Sequence, residues 1–544
     1  MEFETACRAA IAGILSGEIT SHKKLLVAKK RIAKECGIKT LPSNAVILAI
    51  CRDDERDRVL YLLQKKPVRT ISGVAVVAVM TSPAPCPHGR CVPCPGGPDT
   101  VFRSPQSYMG REPAALRAIA EGYHPYRQVA TRIRQLQAIG HAVDKIELII
   151  MGGTFTAREP WYQEWFVKEC LAAMNDTRNT SRCSPMYTLG EVQKANESAK
   201  IRNIGITVET RPDCSMEEQI NAILRLGATR VELGVQSIDD EILLKINRGH
   251  TVADTVRANA RLRDSSLKVG FHMMPGLPGS TIKSDLETFR ELFKNPSFKP
   301  DYLKIYPTLV TEGTELERLW RRGEYTPIDD EEGVELIAEI KSLLPPYLRL
   351  QRVQRDIPRD QILAGIKKSH IRELAARKLA NQGGRCQCIR CREAGHKYLQ
   401  GVRPEDVTDQ IHTYTACGGI EHFISFEDAT REILIGFARL RFPYSPHRSE
   451  LQHAALVREL HVYGRLVPVG KESSHDSWQH HGYGARLLET AEEMALGAGY
   501  EKIAVISGIG AREYYQKLGY VREGPYMSKR LVTSCHKLID MTQQ

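Results

Sequence analysis

Between residues 71 and 365 the chain alternates two patterns. Short runs made almost wholly of apolar and β-branched residues recur along it: SGVAVVAV, KIELIIMGG, NIGITVET, RVELGVQS, KVGFHMMPG and DYLKIYPT. Between them lie stretches such as SMEEQINAILRLGA, where apolar residues return every three or four positions. The first pattern predicts buried strands and the second amphipathic helices. Strand–helix alternation of this kind predicts a parallel sheet, open or closed as a barrel, with functional residues following the strands. Ahead of it, SHKKLLVAKKRIAKECG has apolar residues at helical spacing with lysines between them. After it, REILIGFARLRFP and ELHVYGRLVPVG read as strands, YGARLLETAEEMALGAG as a helix and KIAVISG as another strand. These predict a second compact α/β domain. The expected divisions are 1–72, a basic helical region; 73–365, a β/α barrel; 366–400, a cysteine-rich connector; and 401–544, the last α/β domain.

Composition narrows the classes. The 544 residues suit about three or four domains. The net charge of +11 is concentrated at the start, where residues 1–70 hold 14 Lys or Arg against 8 Asp or Glu. That face is read as a binder of nucleic-acid phosphates, with a plain solvated helix as the alternative. The longest apolar runs, AVILAIC and VAVVAVM, fall far short of the roughly 20 residues that span a bilayer. The start MEFETACRAA is acidic and lacks the apolar core of a secretory signal, so a cytoplasmic protein is expected. In that compartment the 14 cysteines are reduced, and the clustered ones suit metal.

The segment PAPCPHGRCVPCPGG places Cys86, Cys91 and Cys94 in one loop after the first predicted strand, spaced C-x4-C-x2-C. Thiolates favour zinc or iron–sulfur clusters. Three close a tetrahedral zinc site only with a fourth ligand, for which His88 stands nearby. Three also suffice for a [4Fe–4S] cluster with one iron left open. The next strand ends in Met151-Gly152-Gly153-Thr154, where glycines let backbone approach a ligand. Cysteine loop, GG motif and β/α series together resemble the radical S-adenosylmethionine (SAM) superfamily, a partial TIM-type barrel. Most members space the cysteines C-x3-C-x2-C, one residue shorter. The resemblance implies a [4Fe–4S] cluster on Cys86, Cys91 and Cys94, and SAM against Gly152, Gly153 and Thr154. It extends the SAM site to Glu209, Arg211 and Gln236 at other strand ends. A rim salt bridge for the first pair and a capping contact for Gln236 are the alternatives.

In the last domain QHHGYGARLL matches Q/R-x-x-G-x-G/A at a strand-to-helix turn, where free N–H groups meet a pyrophosphate. This resembles the GCN5-related N-acetyltransferases (GNAT). The likeness implies acetyl-coenzyme A (acetyl-CoA) on Gln479, Gly482, Tyr483, Gly484 and Ala485. It puts Glu459, Leu460, His461 and Val462 beside the pantetheine arm, and Tyr514 and Tyr515 near the thioester, with one of the two tyrosines in the core as the alternative, since adjacent helical residues face different ways. A radical SAM barrel fused to such a domain, with DKIELIIMGGTF, RVQRDIP and GPYMSK, resembles the family of Elongator catalytic subunits. Eukaryotic members have a longer gap between the first two cluster cysteines. The family implies transfer of the acetyl group of acetyl-CoA to carbon 5 of the wobble uridine of transfer RNA, giving 5-carboxymethyluridine by SAM radical chemistry. It also implies a reductant for the cluster, and leaves open a homodimer or accessory subunits. Lys145 is then a candidate to hold coenzyme A or its acetyl end, and Lys304 and Tyr306 are candidates to meet the flipped base.

A second triplet, RCQCIRCREAGH, offers Cys386, Cys388, Cys391 and His396 for structural zinc, with His370 or Cys417 as alternative fourth ligands. Two other readings stay open at this stage: a protein lysine acetyltransferase with a structural cluster, and a non-catalytic RNA-binding scaffold.

Overall fold

The computed structural model describes residues 2–66, 70–176, 187–463 and 482–532. Four helices come first: α1 (Glu2–Leu15), α2 (His22–Glu35), α3 (Asn44–Ile50) and α4 (Asp53–Leu63). Ser21 caps α2 by accepting from the Lys24 N–H at 3.2 Å, and Ser43 caps α3 in the same way. Ala10, Ile11, Ile32, Ile47 and Val59 give this region a core of its own. Lys29 turns inward to Asn44, whereas Lys23, Lys24, Lys30 and Lys34 stay exposed.

The six expected parallel strands form: β1 (Ala75–Met80), β2 (Lys145–Met151), β3 (Arg202–Thr210), β4 (Arg230–Gln236), β5 (Lys268–Met273) and β6 (Tyr302–Ile305). A small antiparallel ribbon joins β7 (Val310–Thr311) to β9 (Ile362–Ala364), and between them runs β8 (Arg349–Val353). The sheet order is β1-β2-β3-β4-β5-β6-β8, every pair parallel and the two ends unjoined, which makes a partial barrel. Its outer core is apolar: Leu148, Val208, Val231, Val269, Phe271 and Leu303 face the covering helices.

The connector holds helices Ile371–Asn381, Ile389–Arg392 and Ala394–Leu399. The last domain follows with β10 (Thr408–Ala416), β11 (Gly419–Asp428), β12 (Ile433–Phe442), β13 (Ala454–Val462), β14 (Lys502–Val505), β15 (Val521–Glu523) and β16 (Tyr526–Arg530). Cys417 and Gly418, both at positive φ, make the tight turn between β10 and β11. Sheet order is β10-β11-β12-β13-β14-β16-β15, with β13–β14 the one parallel pair. That pair runs only from Ala454–Val457 against Lys502–Val505. Beyond it β13 leaves β14 and stays on β12, so the sheet opens where the helix Tyr483–Gly497 begins.

This domain lies across the floor of the barrel, the end where the parallel strands begin. Arg458 of β13 grips Asp301 just ahead of β6 with two hydrogen bonds of 2.7 Å and donates to the Leu267 carbonyl. Arg263 pairs with Glu421 at 2.9 Å, and Arg441 with Asp264. All are buried. Losing one partner of such a pair costs about 3–5 kcal/mol, because the other charge is stranded. Gly508 and Gly510 close the seam further: a Cβ on Gly508 would stand 2.1 Å from the Ile204 carbonyl oxygen, so only glycine fits.

Candidate active site at the two ends of the barrel

At the mouth, where the strands end, a cavity is lined by Cys86, Gly153, Thr154, Glu209, Arg211 and Gln236. It thus gathers most of the residues expected from strand ends. The GG turn explains the closeness of the cysteine loop. Gly152 and Gly153 have φ of 127° and 97°. A Cβ on Gly152 would lie 2.1 Å from Thr81 Oγ1, and one on Gly153 would lie 3.0 Å from Gln106 Cβ. Side chains there would push the loop away from the second strand. Cys86 Sγ rests 3.5 Å from Thr154 Oγ1, and Gln106 donates to Cys94 Sγ at 3.4 Å. Gln236 sits at a φ of 73°, strained backbone of the kind held at functional sites.

Arg211 is buried and braces the loop from behind. It chelates Asp213 at 2.9 Å, donates to the Arg248 carbonyl at 2.9 Å, and meets His88. His88 in turn lies 3.1 Å from Cys91 Sγ. Burial, with Arg211 and Arg248 beside it, pushes the imidazole down to about 4, so it stays neutral. Arg248 also reaches Cys91 Sγ, at 3.7 Å, while its Nε is buried without a partner. Sequence reasoning missed Arg248, in NRGH after β4. Two arginines around three thiols suit an anionic thiolate-bound group.

Inside the barrel the side chains are charged rather than apolar. Glu209 accepts from the Tyr108 hydroxyl at 2.8 Å and lies 3.6 Å from Lys304. Glu232, fully buried, is bonded to Lys304 and to His272 Nε2 at 3.0 Å. Burial pushes the Glu232 carboxyl up, but Lys304, His272 and Arg230 overcome it and hold the group well below its ordinary range. Lys304 is therefore a packed ion-pair lysine, whereas Tyr306 lines the cavity edge-on to His272.

The second site is at the floor. The first turn of the helix Tyr483–Gly497 points free N–H groups outward, for Arg486 is the first whose N–H finds a helical acceptor, Gly482. Gly482 has a φ of 75°, and among the described residues nothing stands within 4 Å of where its Cβ would be. Val462 on β13 borders Gly484. The tyrosine pair separates: a Cβ on Gly484 would stand 2.8 Å from the Tyr514 hydroxyl, which places that hydroxyl at the helix start. Tyr515 is 6 % exposed and packs edge-on to Tyr514 and Tyr520. It belongs to the core, the alternative held for one of the pair, and only Tyr514 reaches the helix start. Glu459 accepts from Tyr302 of β6 and from Arg439. Tyr483 lies tilted against Phe426, ring centres 5.0 Å apart, and Ala485 and Leu460 are half-buried. Gln479 lies outside the described residues. Lys145 begins β2, about 23 Å from Gly152 at roughly 3.3 Å per residue, and so belongs to the floor and not to the mouth.

In the connector, Cys386, Cys388 and Cys391 converge, their sulfurs within 4.8 Å of one another. Zn–S bonds of about 2.3 Å put tetrahedral sulfurs about 3.8 Å apart, so the three fit one ion. His396 does not complete the set. Its Nε2 binds Glu393 at 2.8 Å, because Glu393 is held three residues away on the same turn. Lys341 Nζ instead stands 3.8 Å from Cys391 Sγ. Cys417 is turned to the Ser297 carbonyl. Around the triplet, Ile389 N–H bonds the Leu348 carbonyl, Arg349 pairs with Glu393 at 2.6 Å, and Glu393 bridges to Leu434 of β12. The knot therefore touches barrel and last domain alike.

Comparison with known proteins agrees with both ends. Residues 83–292 match the radical SAM superfamily and 300–381 the radical SAM C-terminal domain. Residues 392–520 match the acetyltransferase (GNAT) family, and 3–71 the ELP3 N-terminal domain. The chain is 53% identical over 496 residues to a tRNA uridine(34) acetyltransferase of Methanocaldococcus infernus, covering 90% of this chain and 92% of that one. It is 43% identical to human Elongator complex protein 3 over 96% of each. The chain belongs to the Elongator protein 3 family. The solved archaeal M. infernus Elp3 lacking residues 1–46 superposes with a TM-score of 0.75 at 49% identity, over 85% of this chain and all of that one. The Elongator protein 3 fold is thus a radical SAM barrel standing on a GNAT domain, and the two expected resemblances belong to one molecule.

Proposed function

We propose that this chain is a transfer RNA wobble-uridine acetyltransferase that joins the acetyl group of acetyl-CoA to carbon 5 of the base, using radical SAM chemistry. One observation carries the reading: a single barrel bears a cavity lined by Cys86 at its mouth and an acetyltransferase strand bolted across its floor. Carbon 5 of uridine is an unactivated vinylic carbon, beyond ordinary acid–base alkylation. When bound, a reduced [4Fe–4S] cluster with SAM supplies a radical able to take hydrogen from an unactivated methyl group.

The residues then divide the work. Cys86, Cys91 and Cys94 hold the cluster, with Arg211 and Arg248 offsetting its negative charge. Gly153, Thr154, Glu209 and Gln236 orient SAM in the cavity. The helix start at Gly482–Ala485 takes the pyrophosphate of coenzyme A, as helix N-termini do. Glu459–Val462 flank the pantetheine arm, and the Tyr514 hydroxyl donates a proton to the departing thiolate. Lys145 holds the coenzyme from the barrel side. Cys386, Cys388 and Cys391 carry structural zinc. The exposed lysines of α2 meet the RNA backbone, and the flipped base enters the mouth, where Tyr306 offers a stacking face. Among the described residues no helix is long and apolar enough to cross a membrane, which supports a cytoplasmic enzyme.

The test is Cys91→Ala in the anaerobically reconstituted protein. Modified uridine disappears while transfer RNA binding persists. Undiminished product in that variant would sink the proposal, and acetylated protein lysine in place of modified uridine would transfer it to the acetyltransferase reading.

A further inference from the structure

A cavity of about 470 Å³ lies on the outer wall of the barrel, where two covering helices meet the last domain. Small-molecule pockets commonly hold about 300–1,000 Å³. One side comes from the helices Leu189–Glu197 and Glu217–Leu226, and the other from the approach to β13, the helix Arg512–Gln516 and the β15–β16 turn. Four arginines line it, Arg225, Arg448, Arg512 and Arg522, and among the described residues no carboxylate does. Residues 177–186, which precede the first of those helices, contain no Asp or Glu. None of the described residues proposed for acetyl-CoA lines it.

The arginines are not neutralised by their neighbours. Arg512 is 3 % exposed. Its Nη1 reaches Glu197 at 3.0 Å, and its Nε is buried without a partner. Glu197 also holds Lys194 at 2.6 Å and lies 4.0 Å from Arg522. Arg448 donates to Asn221 Oδ1 at 2.6 Å and to Glu450, and its Nε is likewise buried and unpartnered. Arg225 pairs with Glu164 at 2.7 Å. Five cations thus meet three carboxylates. Burial and the nearness of Arg522 push Arg512 below its ordinary value, against the pull of Glu197.

The helix Leu189–Glu197 brings its start to the same space. Thr188 caps it by accepting from the Glu191 N–H at 3.3 Å. Leu189 and Gly190, its first two residues, line the cavity, and their N–H groups have no acceptor within the helix. Among the described residues nothing stands within 4 Å of where a Cβ on Gly190 would be. Asn221 Oδ1 is taken by Arg448 and, at 3.1 Å, by His447, which leaves the Asn221 N–H groups to donate elsewhere. Buried donors without acceptors are costly, and they gather where a ligand accepts from them.

We propose that this cavity binds a small phosphorylated molecule, whose phosphoryl oxygens accept from Arg448, Arg512 and Arg522 and from the N–H groups that open the helix Leu189–Glu197. Guanidinium forks and helix starts both suit a tetrahedral oxyanion. The burial of Arg512 favours a compact ligand over the backbone of an RNA. The site goes beyond the proposed function and stands without it. Arg512 begins the helix Arg512–Gln516, two residues before Tyr514, so the occupant touches the helix that carries that hydroxyl.

The experiment titrates inorganic phosphate, and pyrophosphate in a second arm, onto the full-length holoenzyme saturated with coenzyme A, whose own phosphates then fill their site. Potassium chloride at equal ionic strength is the blank. Calorimetry reads affinity, and thermal unfolding checks the fold. Wild type binds a single phosphate. Arg522→Gln, at an exposed residue whose nearest carboxylate is 4.0 Å away, weakens binding about tenfold, the worth of one charged hydrogen bond. Gly190→Asp sets a carboxylate in the open space and abolishes binding. It keeps the unfolding midpoint, since an acid in the first turn favours a helix. Pyrophosphate held more tightly than phosphate identifies a diphosphate ligand, and equal affinity identifies a monoester. No heat beyond the blank in the coenzyme-saturated wild type overturns the inference, as does phosphate affinity unchanged in both variants. Displacement of phosphate by transfer RNA gives the cavity to the RNA backbone and overturns it too.

Discussion

The two cysteine triplets look alike in sequence and differ in space. Cys386, Cys388 and Cys391 draw their sulfurs within 4.8 Å, close enough to share one ion. Cys86, Cys91 and Cys94 do not form such a group among the described residues. Their thiols are spread around the barrel mouth on separate partners, Thr154, His88 with Arg248, and Gln106. A cluster of four irons needs that wider spread, because each thiolate binds a different iron. The surroundings differ in the same sense. The first triplet opens through Cys86 onto a cavity walled by strand ends, whereas the second is knotted between two domains. Ligand separation and access, more than ligand identity, divide a reactive site from a structural one.

Breaking that contrast at its catalytic side has the largest effect. Cys94→Ala takes modified uridine to background in a mass-spectrometric assay, and leaves the unfolding midpoint nearly unchanged. Cys388→Ser does the reverse: zinc is lost, the thermal midpoint falls, and uridine modification per folded molecule keeps most of its rate. Equal loss of activity from both variants at equal stability would erase the distinction.

The tyrosine pair offers a smaller version of the same contrast. Tyr515→Ala empties a core position and costs about 3–5 kcal/mol in denaturant unfolding. Tyr514→Phe leaves stability alone and slows thioester turnover by about a hundredfold, the usual worth of a general acid.

Much of this was legible along the chain. Six parallel strands announced themselves because each is buried on its outer face by helices and rich in Val, Ile and Leu. Strand β8 was less visible, since Arg349, Gln351 and Arg352 break its apolar pattern, and Arg349 makes sense only beside Glu393 and Tyr463 of other segments. Strand β10 is exposed along most of its length, so no apolar run marks it. The mouth residues follow strand ends and could be found by position. The floor could not, because Arg458, Glu459 and Tyr302 are ordinary strand residues until two domains meet. Nor does sequence decide between Tyr514 and Tyr515, adjacent residues on one helix that face different ways, or show that Glu393 claims His396.

The most direct test of the difference between the triplets is metal content. Iron, sulfide and zinc are measured on protein purified without oxygen, in the wild type and in alanine variants of each triplet. The account predicts about four irons lost with Cys86, Cys91 and Cys94, and one zinc lost with Cys386, Cys388 and Cys391. Zinc at both triplets with no iron at either would contradict it and remove the radical step.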